Sequence, residues 1–130
     1  MDLPEGLLAL LRQPSTCYLA TLMRDGSPHL TQTWVDTDGR HILINTVQGF
    51  QKVRNIERDP RVAVTVSDPA EPRSYYSIRG RVLNITTEGA RDHIEELSQR
   101  YFGAPYPWFS GRDQVRLIVT IEPRKITPPR

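Results

Sequence analysis

Side chains that suit a buried face recur at every second position in three separated stretches, and this period most constrains what the chain can fold into. Cys17, Leu19, Thr21 and Met23 form the first set, Val62, Val64 and Val66 the second, and Val115, Leu117, Val119 and Ile121 the third. A period of two is that of a strand, whose successive side chains point to opposite faces of a sheet. In residues 16–23 the other face, Tyr18, Ala20 and Leu22, is also fairly apolar, which suits a barrel or a subunit contact better than a sheet with one wetted side.

Turn residues divide the chain around these stretches. Asp25-Gly26 closes the first strand into a second over residues 28–36, and Thr37-Asp38-Gly39 turns that strand into a third over 40–46. These three are expected to form a meander. Residues 61–67 make a fourth strand. Residues 74–85 make a long fifth one, in which Gly80 marks a bend or bulge, and 114–122 make a sixth ended by Pro123. Helical spacing appears three times. Leu3, Leu7, Leu8 and Leu11 predict a short helix over 4–12 that covers one end of the core. Phe50, Val53 and Ile56 predict another over 49–57, ended by Asp59-Pro60. Ala90, Ile94, Leu97 and Tyr101 predict a third over 87–101, capped by Thr87 and stopped by Gly103. Strands and helices do not alternate strictly, so a doubly wound parallel sheet is disfavoured and a mainly β, six-stranded antiparallel barrel with short helices is expected.

Length and composition narrow the function classes. One domain spanning residues 1–130 is expected, large enough to fold without a disulfide or metal. The single Cys17 rules out an internal disulfide and reads as a small buried hydrophobe. No apolar run has the length of a membrane helix. Acidic residues at Asp2 and Glu5 and an apolar stretch of only five residues argue against a signal peptide, so a cytoplasmic location is expected. With 17 Lys and Arg against 15 Asp and Glu, the net charge of +2 is interspersed and gives no field of the kind that marks a nucleic-acid-binding domain.

The motif record is mostly one of absences. The eight glycines form neither a dinucleotide fingerprint nor a Walker loop, the three histidines lack metal-ligand spacing, and no nucleophile elbow is present. No metal site is expected. The most informative window is residues 44–55. There a strand ends in Thr46, Gly49 lets the backbone turn, and a helix opens with Lys52 in its first turn. Backbone N–H groups, a hydroxyl and an ammonium then converge on one spot, as a phosphate ester requires. Trp34, Tyr106, Trp108 and Phe109 are candidates for an aromatic wall over a flat substrate, or for burial.

The run Asn45-Thr46, Gly49, Lys52, Arg54-Asn55 and Asp59-Pro60-Arg61-Val62, preceded by Ala20-Thr21, Asp25-Gly26, Pro28-His29 and Trp34, resembles the split β-barrel superfamily of pyridoxamine 5′-phosphate oxidase. Ile78-Arg79-Gly80-Arg81 and the segment from Arg100-Tyr101 to Pro107 extend the likeness over nearly the whole chain. Within that superfamily it most resembles the short actinobacterial branch that uses the deazaflavin coenzyme F420. The resemblance implies a homodimer with two cofactor sites at the subunit interface, each lined by both chains. It implies that Thr46, Gln51 and Lys52 hold the cofactor's phosphate, with Asn45 beside them among the cofactor-binding residues. It further implies that Gln32 and Thr33 meet the ring edge, while Arg73, Ser74 and Tyr75 approach from the start of the fifth strand. Gln51 stands where the flavin oxidases carry an arginine, and His29 is followed by the neutral Gln32, Thr33 and Trp34 where they carry basic residues. Both departures fit F420 better than FMN.

The activity implied is that of an F420H2-dependent reductase acting on a small planar or conjugated substrate. A hydride carrier needs binding, orientation and shielding from the protein rather than a nucleophile, in keeping with a chain that offers no triad, carboxylate pair or metal cluster. Arg79 and Tyr75 are candidate proton donors between which the sequence does not choose. The alternatives are an FMN-dependent oxidase or flavin reductase, and a non-catalytic carrier of a flavin, F420 or a haem-like molecule.

Overall fold

The computed structural model describes residues 1–109 and 111–130. Its elements in chain order are α1 (Glu5–Leu11), β1 (Thr16–Leu22), β2 (Pro28–Thr33), β3 (Asp36–Thr37), β4 (Ile42–Val47), α2 (Gln51–Arg58), β5 (Arg61–Ser67), β6 (Tyr75–Thr86), α3 (Ala90–Phe102) and β7 (Arg116–Thr127). All strands belong to one antiparallel sheet in the order β2-β1-β5-β6-β7-β4-β3. The sheet curls into a half-barrel, so the mainly β antiparallel architecture expected from the sequence is the one formed.

The difference from expectation lies in one stretch. The predicted strand over 28–36 is two strands, which makes seven rather than six among the described residues, and the meander expected of the first three strands does not form. Thr33 closes the β1–β2 ladder opposite Cys17, whereas Asp36 opens the β3–β4 ladder opposite Leu43. Only Trp34 and Val35 separate them. β2 and β3 are the two ends of the sheet order, so the chain crosses from one edge to the other within the reach of three peptide units, roughly 11 Å. The sheet must therefore be rolled until its edges are adjacent. Periodicity alone does not reveal this, because the alternation continues through the break.

Two further expectations are corrected. Pro123 does not end the last strand, which runs on to Thr127. A proline lacks the N–H of a regular ladder, but Pro123 sits opposite Gly80 at a register shift, where the ladder is already interrupted. The bulge expected at Gly80 is present, and a Cβ there would stand 2.8 Å from both the Glu122 carbonyl oxygen and Ile121 Cγ2. Thr87 does not cap α3. The N-cap is Gly89, in the left-handed region at φ 72°, while Gly103 ends the helix at φ 69° as expected.

The core fills the inside of the roll. Leu19 of β1, Val64 and Val66 of β5, Ile78 of β6, Ile42 and Ile44 of β4 and Val119 and Ile121 of β7 meet Leu7 and Leu11 of α1, which cover one end. Cys17 lies fully buried among them, and burial pushes its thiol up to about 12. It behaves as a hydrophobe. A smaller cluster of Ile94, Leu97 and Trp108 lies under α3. Among the described residues no helix is long and apolar enough to cross a membrane, and no group of three or more His, Cys, Asp or Glu could hold a metal ion.

Candidate functional site

The crossing segment sets one wall of a cleft of about 560 Å³. Gln32, Thr33 and Trp34 line one side, and Asn45 of β4 and Arg116 of β7 line the base. Tyr101, Phe102, Tyr106 and Phe109 come from the end of α3 and the loop after it. The Tyr101 hydroxyl ties the walls together. It accepts the N–H of Ser15 at 3.3 Å and of Val35 at 3.2 Å, and donates to the Ser15 carbonyl at 3.2 Å. Trp34 stacks on Tyr101 with centroids 4.9 Å apart and planes at 15°, and meets Phe102 and Tyr106 edge to face. Such pairs add to area burial.

The loop after α3 is held from behind. Glu95 accepts the Tyr106 backbone N–H at 2.8 Å and the Trp108 indole N–H at 3.0 Å. These donors keep its carboxyl below the usual range despite the opposing effect of desolvation. Trp108 is buried with a left-handed φ of 53°, and the Arg91 guanidinium lies 4.3 Å from its ring centroid. So three of the four aromatic candidates, Trp34, Tyr106 and Phe109, do line the cleft. Trp108 packs behind it.

Beneath the aromatics runs a buried polar chain whose proton positions follow from donor logic. Arg116 Nε–H can only donate, so the Asn45 atom it meets at 2.9 Å is Oδ1. Asn45 Nδ2 is then the donor both to the Ala90 carbonyl at 2.9 Å and to His93 Nδ1 at 3.1 Å. With Nδ1 accepting, the neutral His93 ring carries its proton on Nε2 and donates it to Asp36 Oδ2 at 2.9 Å. Arg100 donates to the other Asp36 oxygen at 3.0 Å.

Arg116 itself has no carboxylate partner among the described residues. Its residue is 6% exposed, and burial pulls the guanidinium below its ordinary range. Beyond Asn45, its side-chain hydrogen-bond partners among the described residues are the Tyr106 hydroxyl and Gln114 Oε1, each at 3.5 Å. Nothing in the sequence reading singled it out. The one available signal was its position inside an alternating strand, on a face that α3 covers.

The residues expected from the sequence to bind a cofactor do not all meet in one place. Gln32, Thr33 and Asn45 share the cleft. Thr46 is buried at 4% exposure next to Asn45, and its Oγ1 has no hydrogen-bond partner among the described residues. His29 Nδ1 and Thr31 Oγ1 on β2 are unpartnered in the same way. Lys52, in the first turn of α2, is held low first by burial and further by the charge of Arg116, so two cations stand within electrostatic reach. Gln51 is committed within its helix: its amide donates to Asn55 Oδ1 at 2.8 Å and its carbonyl accepts from Arg54 at 2.7 Å. Arg73, Ser74 and Tyr75 are exposed and do not line the cleft of this chain, nor does Arg79.

Residues 3–127 match the family described as Pyridoxamine 5′-phosphate oxidase. Among solved structures, one named F420 reductase is 31% identical, with a TM-score of 0.83 over 96% of this chain and 98% of its own. A conserved hypothetical protein from Mycobacterium tuberculosis is 29% identical, with a TM-score of 0.70 over 95% of this chain and 82% of its own. A putative pyridoxamine 5′-phosphate oxidase from Listeria innocua, 22% identical with a TM-score of 0.71 over 95% of both chains, shares the fold.

Proposed function

Because the chain belongs to the pyridoxamine 5′-phosphate oxidase family, we propose that it is an oxidoreductase that binds coenzyme F420 and, with its reduced form, reduces a small planar or conjugated substrate. The observation that carries this reading is the 31% identity to an F420 reductase over almost the full length of both chains. The residues present fit such a cofactor. The buried Thr46 hydroxyl lacks a partner, and the desolvated Lys52 has no carboxylate beside it among the described residues. A hydroxyl and an ammonium left unmatched beside a helix N-terminus suit a phosphate ester. Gln51, whose side chain is held by Asn55 and Arg54, steadies this turn.

When bound, the reduced deazaflavin supplies a hydride. The chain binds, orients and shields. Thr46 and Lys52 hold the phosphate, Gln32 and Thr33 meet the edge of the ring system, and Asn45 orders the base of the cleft. Trp34, Tyr106 and Phe109 present flat apolar surface that excludes water from a planar substrate. The active form is a homodimer. Tyr18, Ala20, Leu22 and Leu30 give β1 and β2 an outer face with large apolar side chains in solvent, Leu30 at 64% exposure. A second copy covers that face and brings its exposed Arg73, Ser74 and Tyr75 to the site. The protein works in the cytoplasm.

Titration of the purified chain with F420 and with FMN, side by side at physiological salt, tests the reading. Preference for F420 is expected, followed by turnover of planar acceptors with F420H2. Preference for FMN moves the protein to the flavin oxidases or flavin reductases. Tight F420 binding without turnover of any acceptor leaves a carrier.

A further inference from the structure

We propose that the Arg116 guanidinium is an anion subsite at the base of the aromatic cleft, and that the substrate it receives is a planar, conjugated molecule carrying a carboxylate or enolate oxygen. The inference deepens the reductase reading and rests on it for the word substrate.

Three observations converge. Arg116 is more than nine-tenths buried yet has no carboxylate to neutralise it among the described residues. A buried charge without a counter-ion is costly, and a ligand anion is the partner that would relieve the cost. The side chain is also aimed. Its Nε is held by Asn45 Oδ1, and Asn45 is held in turn by the Ala90 carbonyl and by His93, which Asp36 and Arg100 anchor. The fork is thereby fixed at its Nε edge, and its Nη1 lies 3.5 Å from the hydroxyl of Tyr106, which lines the same cleft as Arg116. Finally, the walls above it are aromatic: Trp34, Tyr106 and Phe109 suit a flat ring system whose charged end reaches the base. A planar guanidinium meeting a carboxylate edge-on gives two parallel charge-assisted bonds, stronger and more directional than neutral contacts.

The same chemistry could come from the cofactor, whose phosphate is also an anion, and the experiment separates the two. Isothermal titration of the full-length protein, with and without saturating F420, uses the matched probes 2-naphthoate and 2-naphthamide, which share a ring and differ in charge. The expected result is that the carboxylate binds at least about tenfold more tightly than the amide, as a desolvated charge-assisted pair should give. That ratio should collapse to near one in Arg116→Met, be intermediate in Arg116→Lys, and persist when F420 is bound. Equal binding of the two probes by the wild-type protein, which needs no variant, overturns the proposal. So does a preference that survives in Arg116→Met. A loss of F420 affinity in Arg116→Met as large as the loss of naphthoate also overturns it, because the arginine then serves the cofactor. The two readings fail separately: naphthoate preference without binding of F420 or FMN removes the cofactor assignment and keeps the subsite, and F420 binding without naphthoate preference does the reverse.

Discussion

His93 donates its Nε2–H to Asp36 at 2.9 Å, in a contact where the side chains of both residues are largely buried. Burial alone would raise the Asp36 carboxyl. Hydrogen bonds from His93, the Thr37 backbone and Arg100, together with the Arg100 charge, outweigh it and hold the group below the usual range. A carboxyl with a depressed folded-state pKa contributes stability that is present above its unfolded value of about 3.9 and is lost as pH falls through the folded value. Asp36→Asn is therefore expected to lower stability at pH 7 by about 2 kcal/mol. It should also flatten the fall in stability on acidification, and urea unfolding at pH 7, 5 and 3 reads both effects. A parallel offset between the two proteins at all three pH values would show that the carboxylate charge is not what His93 and Arg100 require.

The Tyr101 hydroxyl satisfies two backbone N–H groups and one carbonyl at Ser15 and Val35, just beyond the Cys17–Thr33 end of the β1–β2 ladder. Tyr101→Phe keeps the stack on Trp34 and removes only these bonds, leaving buried backbone groups unmet, so a loss of about 2 kcal/mol is expected. The crossing at Trp34 and Val35 should loosen first. Faster amide exchange at Val35, with exchange in β5 unchanged, would locate the effect.

Lys52 offers a prediction with two signs. Its ammonium is desolvated and lies near Arg116 rather than near a carboxylate. Its folded-state pKa is depressed, so the charged form costs stability below that value. Lys52→Met should leave the thermal midpoint of the apo-protein no lower than that of the wild type. Cofactor affinity should nevertheless fall by about 1.5–3 kcal/mol, the loss expected for one charge-assisted bond. An unchanged affinity removes Lys52 from the phosphate site.

Leu30 is the most exposed large aliphatic side chain on the outer face of β2, opposite Ala20 of β1. If a second copy covers this face, Leu30→Glu buries a charge at the contact. The variant is expected to run as a monomer in light scattering at micromolar concentration, where the wild type runs as a dimer, and to lose cofactor affinity with it. A wild-type monomer that binds cofactor would contradict the shared site.

Gly80→Ala should cost about 2–3 kcal/mol, because its Cβ would meet the Glu122 carbonyl oxygen and Ile121 Cγ2 at 2.8 Å, atoms held by the β6–β7 ladder. Equilibrium unfolding measures it. A near-neutral result would mean that the bulge relaxes.

Most of the strands could be read from alternation and most of their ends from turn residues, because both are local properties of the chain. Gly80 and Gly103 carried their roles openly, the first as an interior strand glycine and the second just past a helical run. Failures occurred where a distant partner decides. Thr33 and Asp36 look like one strand until their separate partners, Cys17 and Leu43, are known. Pro123 looks like a terminator until Gly80 is placed opposite it. Within the candidate site, the family resemblance points to Gln32, Thr33 and Asn45, which share the cleft, whereas no motif marks Arg116. An arginine in a strand ordinarily faces water, and only the packing of α3 over β4 and β7 turns that face into an interior.

Leaving a sheet edge on β2 and re-entering at the opposite edge on β3 with only Trp34 and Val35 between them has a kinetic corollary. Joining the two rims closes a very short loop, whereas pairing β4 with β7 or β1 with β5 requires the intervening chain to be gathered in at greater entropic cost. The seam of the half-barrel is thus among its most local features, and the β4–β7 and β1–β5 ladders are the least local. Folding should be slow for a chain of this size, limited by these two long-range ladders rather than by the seam.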